Sequence, residues 1–138
     1  MSRKSARCAA MQLVFEDLFG GEGGQETLNE LIAYVPEEGE LEFIEGLVSG
    51  VREHAAEIDG MIASHLRGWT LDRISRVSRA ALRLAVFELK WGGDVPAGAV
   101  IQEAVQLTQR FDEESEGRFV NGVLSSILRD LEENKADE

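Results

Sequence analysis

The chain has 138 residues, 43% of them hydrophobic, which suits a single domain with a real core. Its formal net charge of −12 argues, on its face, against a nucleic-acid partner. A single cysteine, Cys8, excludes an internal disulfide, and there is neither an apolar leader nor a long uncharged apolar run; a cytoplasmic protein is expected rather than a secreted or membrane-spanning one.

The elements read as helices from end to end. Residues 3–19 place Ala10 or Met11, Val14, Phe15 and Leu18 on one side and stop at Gly20. "GGEGGQ" follows as a loop; no strand precedes it and its spacing is not that of a phosphate cradle. A short helix over 26–34 ends before Pro36. A long one over 40–66 carries Ile44, Leu47 or Val48, Val51, Ala55, Ile58, Ile62 and Leu66, with Gly46 and Gly50 offering room for a close neighbour.

"RGWTLDRI" reads as the joint between two halves, 1–67 and 68–138, with Thr70 placed to cap a short turn. A helix over 76–91 stops at "GGDVP", and Pro96 opens another bearing Val100 or Ile101, Ala104, Val105, Thr108 and Phe111. After the acidic "DEESEG" comes a last helix over 116–132, with "ENKADE" as a solvated tail. β-type alternation is sustained nowhere. The expected fold is all-α, two small helical bundles packed across each other.

Inside the last helix stands "RFVNGVL". Asn121-Gly122 is a strong turn signal, yet Val120, Val123, Leu124, Ile127 and Leu131 keep helical spacing, so a helix that tolerates a glycine at a cost of roughly 1 kcal/mol is predicted.

Charge is unevenly placed. In residues 1–20 all three bases (Arg3, Lys4, Arg7) precede the first acid, and residues 61–91 carry six bases against two acids. Residues 21–60 and 92–138 carry the acid excess, with eleven acids each. Two basic islands in an acidic chain are either solvated helix faces or local attractors for an anion.

Signatures of catalysis are missing from the sequence. His54 and His65 stand eleven apart, too far for a helical metal pair, and both read as surface residues. Cys8 has no CxxC partner and there is no G-x-S-x-G elbow. No enzyme, metal, cofactor or small-molecule substrate is expected.

Three segments in register resemble the NusB family of transcription antitermination factors. "SARCAAMQLVFEDL" is similar to that family's first helix, "LDRISRVSRAALRLAVFEL" to its central helices, and "VPAGAVIQEAVQLTQRFDEESEGRFVNGVLSSI" to its C-terminal signature, in which FVNGVL is the most diagnostic string. The resemblance covers nearly the whole chain and is weakest over 20–40.

It implies a non-enzymatic, all-helical protein. The implied ligand is boxA-type single-stranded RNA in ribosomal RNA leader transcripts. The implied partners are a small-subunit ribosomal protein acting as NusE and the RNA polymerase antitermination complex.

The resemblance also implies sites. Arg3, Lys4 and Arg7 would contact RNA from the first helix, and Arg118 and Phe119 would supply a charge and a stacking face, with Gly122 admitting close approach. On pattern alone a helical phenylalanine such as Phe119 is more often core; the resemblance favours the RNA role. Arg83 reads as structural, and Arg76 and Arg79 are left open.

Phe15 and Ser78 fall on the surface implied for the ribosomal protein. The sequence departs from the family at Ser78, where Glu is usual, at Ala97-Gly98, where an aromatic-Lys pair is usual, and at Gln102 for Asn. Two other readings stand beside this one. One is a protein-only helical scaffold. The other is a NusB-like domain detached from a ribosomal RNA methyltransferase, for whose cofactor-binding domain 138 residues leave no room.

Overall fold

Apolar residues at three- and four-residue spacing become helices in the computed structural model, which describes residues 3–18, 39–92 and 95–136 and contains no strand among them. In chain order these are α1 (Arg3–Asp17), α2 (Glu40–Glu53), α3 (Ala55–Ala63), a 3-10 turn (Leu71–Arg73), α4 (Arg76–Phe87), a π-turn (Glu88–Gly92), α5 (Ala97–Phe111) and α6 (Glu114–Ala136). The helix expected over 26–34 lies outside the described residues. No described helix is long and apolar enough to cross a membrane.

Two cores form. The first gathers Val14 of α1, Ile44 and Val51 of α2, and Ala81 and Leu84 of α4. The second gathers Ile58 and Ile62 of α3, Leu82 and Val86 of α4, Val100 and Ala104 of α5, and Val120, Leu124 and Ile127 of α6. Helix α4 serves both, one face to each, and the Phe87 ring packs against both.

Between α2 and α3 the chain passes from the first core to the second, after Val51 and before Ile58. The single helix expected over 40–66 is two, because the backbone leaves helical geometry at His54 (φ −105°, ψ 16°), where the imidazole stacks on Trp91 with centroids 4.0 Å apart. That turn redirects Ile58, Ile62 and Leu66 into the second core.

Other expectations shift for local reasons. Thr70 occupies the cap position of the 3-10 turn but its side chain makes no capping bond. Ser75 does cap α4, its hydroxyl accepting from the Ser78 N–H at 3.0 Å. Gly50 lies under the Phe87 ring, where any Cβ would overlap it, whereas nothing lies within 4 Å of a Cβ at Gly46. α6 starts two residues early and runs on through "ENKA", so that part of the expected tail is helix.

Helix α1 differs most from its expected single stripe. Ala6, Arg7, Cys8, Ala9, Ala10, Met11, Leu13 and Val14 are all buried, since α2 and α4 both pack on the helix. A helix apolar on most sides is an interior helix.

Candidate nucleic-acid interface

A groove of about 570 Å³ runs between the start of α6 and the linker that follows α3. Three arginines reach it, Arg67, Arg118 and Arg129, together with Phe119 and Trp69; among the described residues no Asp or Glu lines it.

Its α6 wall follows from helical spacing. Arg118, Gly122, Ser125 and Arg129 recur at four, three and four residues and so share one face. Glu114 and Glu116 in the first turn complement the helix dipole. Phe119 is half-buried, one side on the second core and the other toward the groove. Arg118 is 68% exposed and only loosely paired with Glu114 at 3.7 Å. Asn121 and Gly122 are exposed, and nothing lies within 4 Å of a Cβ at Gly122. The Asn-Gly pair thus sits in a helix with open space in front of it and no protein neighbour above.

The other wall is the linker. Gly68 adopts φ 76°, a left-handed conformation that side chains disfavour, and the turn it makes carries Arg67 and Trp69 outward. His65 ties this wall to α6: its Nδ1 is 2.7 Å from the Ser126 hydroxyl and its Nε2 is 2.9 Å from the Asp130 carboxylate. His65 is therefore a half-buried bridge, not the free surface residue expected. His54, likewise, is engaged with Trp91.

Arg7 is a correction. It is only 6% exposed, and its Nε donates to Glu88 at 2.8 and 3.2 Å while a terminal nitrogen reaches Glu103 at 3.3 Å. The Phe43 ring covers it, with the guanidinium carbon 5.5 Å from the ring centroid. Phosphates have no access to a side chain so placed. Burial pushes the Glu88 carboxyl above the usual range, and the Arg7 guanidinium opposes that shift. Arg3 and Lys4 belong to the first turn of α1, and their side chains lie outside the described residues.

Ser78 is a second correction. It is fully buried, its hydroxyl donating to Glu116 at 2.7 Å, so it cannot itself touch a partner. A carboxylate does stand at that spot, contributed by α6. Phe15 is half-buried at the edge of the first core.

Half of the second basic island is consumed within the fold. Asp59 accepts from Arg83 at 2.6 and 2.9 Å and from Arg79 at 3.4 Å, and Lys90 pairs with Glu57. Arg83 is structural, as expected, and Arg79 joins it. Among the described residues no cluster of His, Cys, Asp and Glu is arranged to hold a metal ion.

Fold and groove together define an all-helical, two-core protein with one face that is aromatic and basic. The chain belongs to the NusB family, which it matches over residues 4–129. It is 40% identical to the transcription antitermination protein NusB of Bacillus subtilis over 135 residues, covering 97% of this chain and all of that one. Among solved structures, Thermotoga maritima NusB superposes with a TM-score of 0.85 at 31% identity, covering 94% of this chain and 92% of that one. A complex of the antitermination factors NusB and NusE with double-stranded RNA gives 0.82 at 34% identity, covering 92% of this chain and 96% of its counterpart.

Proposed function

We propose that this chain is a non-enzymatic antitermination factor. It binds boxA-type single-stranded RNA of ribosomal RNA leaders in the cytoplasm, together with a small-subunit ribosomal protein acting as NusE, and joins the RNA polymerase antitermination complex. The observation that carries the RNA reading is the groove itself, where Phe119 and Arg118 stand side by side and no Asp or Glu is among the described lining residues. Single-stranded RNA is held by this combination, aromatic faces for unstacked bases and cations for phosphates. In a duplex the bases face inward and such a ring has nothing to stack on.

Arg118 and Phe119 are the core of the proposed RNA contact, with Arg3 and Lys4 retained as candidates from α1. Phe15 is the proposed anchor for the ribosomal protein, since a half-buried aromatic at the edge of a core offers a ready hydrophobic contact.

Gel shifts with boxA-type single-stranded RNA, with and without the ribosomal protein, test both parts. Phe119→Ala is expected to weaken RNA binding by about 1–3 kcal/mol. Phe15→Asp is expected to abolish co-complex formation. Undiminished RNA binding by a folded Phe119→Ala protein overturns the RNA assignment, and wild-type capture of the ribosomal protein by a folded Phe15→Asp protein overturns the partner assignment.

A further inference from the structure

Trp69 is 56% exposed, the most exposed large apolar side chain among the described residues. Among the described residues Trp69 belongs to neither core. The left-handed turn at Gly68 holds it on the groove wall opposite Phe119. Two cations flank it in the groove, Arg67 from the linker and Arg129 from α6, and neither has an ion-pair partner among the described residues. Among the described residues Arg7, Arg52, Arg79, Arg83, Lys90 and Arg118 each pair with an acid, whereas Arg67 and Arg129 do not.

We infer that Trp69 is a second base-stacking platform, with Arg67 and Arg129 gripping the phosphates beside it, so that the bound single strand crosses the groove from α6 to the linker. The inference rests on the RNA reading above and extends it to residues outside the FVNGVL segment. Tryptophan offers the largest π face of any side chain, and stacking on it tolerates any base. The phosphates of a strand laid between the two aromatic faces meet arginines on both walls. The His65 bridge to Ser126 and Asp130 fixes the linker against α6, which keeps the two faces at a constant separation.

The test uses the full chain and a boxA-type single-stranded RNA dodecamer, with intrinsic fluorescence as one readout. Trp69 and Trp91 are the two tryptophans, so a Trp91→Phe protein reports on Trp69 alone. Adding RNA should quench that signal, while a Trp69→Phe protein, reporting on Trp91, should change little. Trp69→Ala should weaken binding by at least about fivefold, Trp69→Phe by less, and both should melt near wild type because the side chain lies outside both cores. Replacing single nucleotides by abasic sites should reveal one position at which Trp69→Ala carries no further loss, and a different position for Phe119→Ala. Arg67→Gln with Arg129→Gln should lower the salt-dependence slope by about 1.4, at roughly 0.7 per lost contact.

If the wild-type protein does not bind the dodecamer, the RNA reading and this inference fall together. If wild type binds and Phe119→Ala weakens it, but Trp69→Ala matches wild type and Trp69 fluorescence is unmoved, the inference alone is overturned.

Discussion

Arg7 decides between surface and interior roles for the first helix, and replacing it by Ala is the sharpest test. The substitution leaves the Glu88 carboxylate, itself 7% exposed, without the guanidinium that donates to both of its oxygens. Breaking a buried pair from one side costs about 3–5 kcal/mol, a large part of the stability of a domain this size. The cost should depend on pH with a defined sign. Burial already raises the folded-state Glu88 pKa and Arg7 opposes it, so removing Arg7 raises it further while the unfolded value stays ordinary. A raised folded-state pKa contributes stability below the unfolded value that is lost as pH rises through the folded one. Arg7→Ala should therefore be weakest at neutral and alkaline pH and regain stability toward acid, relative to wild type. Glu88→Gln added to Arg7→Ala should restore part of the loss at pH 7, and Arg7→Met with Glu88→Leu should fold about as well as wild type. Urea melts across pH check all of these. RNA binding of the folded double variant should equal wild type; an Arg7→Ala protein that melts like wild type yet loses RNA affinity would show that the side chain faces phosphate after all.

Gly50→Ala should destabilise by about 1–3 kcal/mol despite the better helix propensity of alanine, because the new methyl overlaps the Phe87 ring that joins the two cores. Gly122→Ala, in open space, should instead stabilise by up to roughly 1 kcal/mol, and a stabilised protein with weakened RNA binding would place RNA backbone against that position. Ser78→Ala should cost about 1–3 kcal/mol by removing the buried hydroxyl that satisfies Glu116, measurable in the same melts, with no loss of ribosomal-protein capture beyond what unfolding explains.

Much of the fold was legible because helical periodicity is a local signal. Ile58, Ile62 and Leu66, or Val120, Val123, Leu124 and Ile127, announce a buried stripe without reference to any neighbour. The break at His54 is not legible, since no proline or helix-stopping glycine marks it, and the ring that the imidazole stacks on, Trp91, lies thirty-seven residues on in the sequence. Burial of Arg7 left a faint trace, an arginine inside the run "ARCAAM" where apolar residues occupy every face. Its carboxylate partners, Glu88 and Glu103, lie beyond any local pattern. Half of the groove was read from "RFVNGVL". The other half is not legible in that way, because Arg67 and Trp69 lie in a linker and share no helical period with α6. The signal that could have found them is a tryptophan outside every apolar stripe, set between Gly68 and Thr70.

The acidic composition and the basic groove are consistent with each other once the pairs are followed. Carboxylates neutralise bases where the fold needs them held: Asp17 takes Arg52, Asp59 takes Arg79 and Arg83, Glu57 takes Lys90, and Glu88 with Glu103 takes Arg7. Those bases are held within the fold, and three of them, Arg79, Arg83 and Lys90, belong to the second basic island. Arg67 and Arg129 have no ion-pair partner among the described residues, and Arg118 has only the loose contact with Glu114 at 3.7 Å, all three on one groove. On the proposed reading, surrounding acid disfavours a polyanion elsewhere, and the groove offers a single strand cations beside aromatic faces. A net charge of −12 thus restricts where RNA binds and does not forbid it.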